Sequence, residues 1–87
     1  RYGGEEFVVL LPSTSAVEAC RLMEKLGTDI REAPFHYNKS PLRITVSFGI
    51  AEVTTQDALE ALFRRADTAL YKAKALGRDR AVVGETE

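Results

Sequence analysis

Two stretches of the chain carry side chains whose types and spacing could do chemistry. The first is Arg1-Tyr2-Gly3-Gly4-Glu5-Glu6-Phe7. Gly3 and Gly4 have no Cβ, so they permit positive φ and let the backbone approach a ligand such as a phosphate closely. Glu5 and Glu6 are hard oxygen donors of the kind that hold Mg²⁺ beside substrate phosphates, where the protein usually supplies only one or two groups. As neighbours entering a strand they point to opposite faces. Glu5, at the turn, is therefore expected to face a metal, and Glu6 to face solvent, a partner or a nucleotide. A solvated β-hairpin accounts for the same four residues without any chemistry. The second stretch is Asp67-Thr68-Ala69-Leu70-Tyr71-Lys72-Ala73-Lys74-Ala75-Leu76-Gly77-Arg78. Lys74 and Arg78 stand four apart around a glycine. They could clamp a triphosphate together, one as a point charge and the other as a fork of donors. Cations at a helix C-terminus also complement its dipole, which explains them with no ligand at all.

The elements that must position these groups follow from the apolar pattern. Phe7-Val8-Val9-Leu10-Leu11 is a continuous apolar run stopped by Pro12, the signature of an interior strand covered on both faces. Thr14 or Ser15 then caps a helix, with Ser15 and Glu18 at capping-box spacing. That helix is predicted to run to about Arg31 and to bury Ala16, Ala19, Met23, Leu26 and Ile30, with Gly27 weakening its last third and Pro34 ending it. Phe35-His36-Tyr37 reads as a short strand and Asn38-Lys39-Ser40-Pro41 as a turn. Leu42, Ile44, Val46, Phe48 and Ile50 alternate with Arg43, Thr45, Ser47, Gly49 and Ala51, which predicts one antiparallel strand with an apolar face. Its small face of Thr45, Ser47 and Gly49 leaves room for a ligand or a backbone, or is ordinary sheet surface. Thr54-Thr55-Gln56-Asp57 is expected to cap a second helix with Leu59, Leu62, Phe63, Ala66, Leu70, Ala73 and Leu76 on its apolar stripe, and Gly77 stands where a left-handed C-cap belongs. Ala81-Val82-Val83 closes the order strand, helix, hairpin, helix, strand.

Composition narrows the chemistry. Eighty-seven residues allow one small domain or part of a larger one, and 45% hydrophobic residues suffice for a core. Twelve basic against thirteen acidic residues leave a net charge of -1, so no global attraction draws the chain to nucleic acid or an anionic membrane. Cys20 is the single cysteine and reads as a small apolar helix residue rather than a nucleophile. His36 is the only histidine, and with the single Cys20 it offers fewer nitrogen and sulfur ligands than a zinc site usually takes. No apolar run approaches membrane-spanning length and no signal peptide opens the sequence, which makes a reducing, cytoplasmic setting the expectation. The chain opens inside a turn with no strand before it, as expected of the C-terminal part of a longer domain.

Taken together, the motifs resemble the GGDEF family of diguanylate cyclases, in its GGEEF form. Gly3-Gly4-Glu5-Glu6-Phe7 matches the family's signature turn. Ala66, Asp67, Ala69, Leu70, Tyr71, Ala73, Lys74, Gly77 and Arg78 match its C-terminal Ala-Asp-x-Ala-Leu-Tyr-x-Ala-Lys-x-x-Gly-Arg pattern, and Thr45, Ser47, Gly49 and Ala51 match its Thr-x-Ser-x-Gly-x-Ala strand. The resemblance implies that residues 1–87 are the C-terminal portion of a single GGDEF domain. The implied α/β (α+β) fold has a mainly antiparallel central sheet with flanking helices, like the palm of nucleotidyl cyclases and polymerases, its N-terminal strands and helices absent.

The implied activity is condensation of two GTP into cyclic di-GMP with release of pyrophosphate, by two such domains meeting face to face as a homodimer. Glu5 and Glu6 would be catalytic, with Glu5 the ligand of Mg²⁺ or Mn²⁺. Gly3, Gly4, Lys74 and Arg78 would bind the nucleotide phosphates. The family's metal-binding Asp, guanine-recognising residues and Arg-x-x-Asp inhibitory site lie upstream of its Gly-Gly turn, outside these residues, and Arg1 is too close to the turn to be that inhibitory arginine. The family's second inhibitory basic residue falls near Lys25 or Arg21. The chain alone is accordingly expected to be inactive, and a sensor or receiver domain is expected elsewhere in the parent protein. The other functions in view are a catalytically silent GGDEF domain that senses GTP or dimerises, and a ferredoxin-like interaction domain without nucleotide, which shares the element order but leaves both phosphate-contacting motifs unexplained. Partners implied are GTP and a second GGDEF domain, with neither nucleic acid nor membrane insertion.

Overall fold

A computed structural model describes Val9, Leu11, residues 13–53 and residues 58–84. Helix α1 (Ala16–Glu32) begins as the sequence predicts: Ser15 Oγ accepts from the Glu18 N–H at 3.2 Å, and Glu18 Oε1 lies 3.4 Å from the Ser15 N–H. The Ala16 N–H, another donor without an intrahelical partner, goes to Glu52 Oε1 at 2.6 Å, which ties the helix start to the segment after a strand. A hairpin follows, β1 (Phe35–Tyr37) paired antiparallel with β2 (Ser40–Leu42). Asn38 and Lys39 have φ of 49° and 66°, the two positive angles that a two-residue type I′ turn requires. The turn is therefore shorter than predicted, and Ser40 and Pro41 belong to β2.

The long strand predicted over Leu42 to Ala51 is instead β2, a stretch without ladder bonds at residues 43–47, and β3 (Phe48–Ile50). The alternation survives in exposure, with Ile44 and Val46 half-buried and Thr45 exposed. β3 pairs with β4 (Ala81–Val83), and the pair is parallel. The connection explains why: α2 (Leu59–Ala75) intervenes, and a helical crossover returns the chain in its starting direction, whereas an antiparallel neighbour needs only a turn. The described strands thus form one antiparallel and one parallel two-stranded sheet in an α+β arrangement. Of the run Phe7–Leu11 only Val9 and Leu11 are described. Neither is in a strand, and Val9 is exposed. An apolar run becomes a strand only where a neighbour takes up its N–H and C=O groups, and among the described residues β3 and β4 pair only with each other.

Both helices pack on the β3–β4 pair. Successive strand residues point to opposite faces. Phe48 reaches Gly27 of α1, while Gly49 lies against the backbone of α2 at Ala66 and Leu70. Among the described residues the buried apolar side chains are Ile50 and the three alanines Ala19, Ala69 and Ala73, whose small size lets the helices approach closely. The predicted stripe of α2 is right in the middle and wrong at its ends. Leu59 and Leu76 are 67% and 61% exposed. A 17-residue helix is about 25 Å long, whereas three strand residues cover only about 10 Å, so both leucines overhang the sheet. On α1, Gly27 is buried and Leu26 is 44% exposed. Phe48 packs against Gly27, and Leu26, about 100° away around the helix, lies beside that seam. The expected cap of α2 is also different. Ala58 is the N-cap and makes no side-chain bond, and Thr54 to Asp57 lie outside the described residues. No helix among the described residues is long and apolar enough to cross a membrane.

Candidate phosphate-binding site

The end of α2 is built as the Gly77 prediction requires. Leu76 is the C-cap, and Gly77 follows at φ 120°. The Gly77 N–H donates to the Lys74 carbonyl at 3.3 Å and the Arg78 N–H to the Ala73 carbonyl at 2.9 Å. These are the two bonds of a Schellman motif. Lys74 and Arg78 consequently belong to one closed turn rather than to a fraying terminus. Lys74 is half-buried and Arg78 exposed, the disposition of a base braced against the fold and a side chain available to a ligand. Lys72 and Lys74 in the last turn also sit well against the negative end of the helix dipole.

The chain does not relax after Gly77. Arg78 and Asp79 both keep positive φ, 62° and 51°. For L-residues other than glycine this costs on the order of 1 kcal/mol each, and such angles persist only where the surroundings impose them. The imposing contacts are at Asp79. Its N–H donates to Ser47 Oγ at 3.2 Å, and its carboxylate receives Arg31 Nη1 at 2.9 and 3.0 Å. Arg31 and Asp79 are each about one-third exposed (32% and 29%). Solvent screening therefore holds the pair to about 1 kcal/mol or less. The bond from the Phe48 N–H to the Arg80 carbonyl, 2.9 Å, then starts the β3–β4 ladder.

The small face predicted between Leu42 and Ala51 is accounted for by this packing. Gly49 admits the α2 backbone and Ser47 receives Asp79, so two of its three small positions serve the approach of protein, while Thr45 is exposed. A second brace was not visible in the sequence. Arg65, in the middle of α2, is buried, and its Nη2 donates to the Glu52 carbonyl at 2.9 Å. Glu52 thereby joins the start of α1 to the middle of α2. The Arg31–Asp79 pair also escaped notice, because its members are 48 positions apart and no local spacing links them.

Gly3, Gly4, Glu5 and Glu6 lie outside the described residues. Among the described residues no cluster of three His, Cys, Asp or Glu side chains is placed to hold a metal ion. Cys20 has its thiol pushed up by burial and then by the charge and hydrogen bond of Glu24, one turn away, which keeps it protonated and agrees with its reading as a packing residue.

Comparison with known proteins supplies the family. Residues 1–80 match the family described as diguanylate cyclase, GGDEF domain. Diguanylate cyclase DgcP of Pseudomonas aeruginosa is 54% identical over 80 residues, covering 92% of this chain and 12% of that protein. Response regulator PleD of Caulobacter vibrioides is 42% identical over 88 residues, covering 98% of this chain and 19% of its own length. Diguanylate cyclase A of Treponema denticola is 34% identical over 86 residues, with 98% and 23% covered. The chain thus spans less than a quarter of each of these relatives. The Gly3–Phe7 motif, the Thr45–Ala51 segment and the segment that carries Lys74 and Arg78 all fall within the matched residues, and the chain belongs to the GGDEF domain family of diguanylate cyclases.

Proposed function

We propose that the parent protein is a diguanylate cyclase in which this segment supplies part of the GTP site. The observation that carries the reading is the Schellman turn that holds Lys74 and Arg78 together in a chain whose residues 1–80 match this family. Two domains each hold one GTP and meet face to face. The 3′-hydroxyl of one nucleotide attacks the α-phosphate of the other, pyrophosphate leaves, and a second such attack closes the ring.

Lys74 and Arg78 neutralise the β- and γ-phosphates, where charge grows as pyrophosphate departs. Gly3 and Gly4 let main-chain N–H groups come near the phosphates, because no Cβ stands in the way. Glu5 has the hard-oxygen chemistry suited to Mg²⁺ or Mn²⁺, with an upstream carboxylate of the family as its companion, and Glu6 orients the nucleophile. A divalent cation bound there stabilises phosphate charge and lowers the pKa of the attacking hydroxyl. In the whole domain β3 and β4 belong to a mainly antiparallel central sheet of the cyclase and polymerase palm kind, in which Phe7–Leu11 is a further strand. A cytoplasmic location accords with GTP as substrate.

The test is conversion of GTP to cyclic di-GMP, followed by mass spectrometry, on the parent protein and its Glu5→Ala and Lys74→Ala variants. Product is expected from the parent, none from Glu5→Ala, and a raised KM for GTP from Lys74→Ala. A folded parent that binds GTP and makes no product would overturn the assignment.

A further inference from the structure

We propose that Arg31 and Ser47 are positioning residues for Arg78, acting through Asp79; the proposal rests on the phosphate role given to Arg78 above. Arg78 lies between two fixed points. On its N-terminal side the Schellman bonds from Gly77 and Arg78 to Lys74 and Ala73 lock the main chain to α2. On its C-terminal side Asp79 is held by the Ser47 hydroxyl at its N–H and by Arg31 Nη1 at both carboxylate oxygens. The Arg78 carbonyl accepts from Arg80 Nε at 3.0 Å, and Arg31 Nη2 lies 3.4 Å from Thr28 Oγ1 on its own helix. The main chain at Arg78 is thus pinned in a left-handed conformation that it would not otherwise keep, while its side chain stays exposed.

The latch also has an electrostatic function. Asp79 is the neighbour of Arg78, and an uncovered carboxylate there would compete with phosphate for the guanidinium and repel the nucleotide. Arg31 occupies that carboxylate from the end of α1. Three parts of the chain, α1, the segment before β3 and the turn after α2, therefore converge on the placement of one side chain.

The experiment is steady-state kinetics on the full parent protein with GTP, for Arg31→Ala, Arg31→Lys, Arg78→Ala and the double variant Arg31→Ala/Arg78→Ala. Arg31→Ala is expected to raise KM about three- to fivefold with kcat changed less than about twofold, and Arg31→Lys to restore most of the loss. Once Arg78 is alanine, adding Arg31→Ala should change KM by less than about twofold, because its effect passes through the missing side chain. Equal effects of Arg31→Ala in both backgrounds, or an unchanged KM, would overturn the proposal. If Arg31→Ala does not fold, Ser47→Ala, which removes only a hydroxyl, goes through the same cycle under the same criteria. Absence of product from the wild-type parent sinks the cyclase reading itself, whereas an unchanged KM in an active enzyme sinks only the latch.

Discussion

Gly49→Ala is the single-atom change that best tests how the site is held. A Cβ at this position would lie 2.7 Å from Leu70 Cβ, and closer still to the Ala66 carbonyl oxygen and the Leu70 nitrogen. Carbon atoms rest at about 3.5–4.0 Å, so α2 would have to retreat by roughly 1 Å. Two of the three obstructing atoms are helix backbone and cannot rotate aside. Overpacking costs about 1–3 kcal/mol, and a backbone obstacle places this case near the top, at about 3 kcal/mol. Domains have only about 0.1 kcal/mol of stability per residue, and at about 2–8 °C per kcal/mol, set by the size of the parent domain, the melting temperature should fall by on the order of 6–24 °C. Gly27→Ala is the internal control. Its Cβ would sit 3.4 Å from Phe48 Cε2, an ordinary contact, and removing a glycine from mid-helix should stabilise by about 0.5–1 kcal/mol. Circular dichroism melts of the parent domain and both variants decide the matter. A Gly49→Ala variant that melts within about 2 °C of wild type would refute the close approach of α2 to β3, and with it the packing that seats the helix bearing Lys74.

Two further predictions concern the first helix. Ser15→Ala removes the acceptor of the Glu18 N–H and should cost about 1 kcal/mol, read as a lower denaturant midpoint with unchanged slope. Cys20, whose thiol is held protonated by burial and by Glu24, should alkylate more slowly at neutral pH than a free cysteine, and Glu24→Gln should speed it. Because its folded-state pKa is raised, its contribution to stability is present below the unfolded-state pKa and is lost as pH rises through the folded-state value, and Cys20→Ser should flatten that alkaline decline.

What was legible in the sequence was what short-range physics decides. The Ser15 and Glu18 capping box, the left-handed Gly77 and the break at Pro34 depend on residues within one turn of one another, and each stands where the sequence put it. The long alternating strand was misjudged because alternation records which side chains are shielded, whereas a strand also needs a neighbour's backbone. Residues 43–47 keep the first without the second. Leu59 and Leu76 were assigned to the core because a stripe says which way a side chain points and not how far the opposing sheet extends.

The sequence by itself determined the family, through three motifs in order, and with it the candidate residues Gly3, Gly4, Glu5, Glu6, Lys74 and Arg78. It also determined the two helices and the turn that holds Lys74 and Arg78 together, because the bonds that close these are local in the chain. Only the tertiary structure decided that β3 and β4 run parallel across α2, that Gly49 is the seat of that helix, and that Arg31 reaches Asp79 behind Arg78. Those facts depend on residues far apart in sequence meeting in space, and a charge, a hydroxyl or a missing Cβ acquires its role only when its partner has arrived.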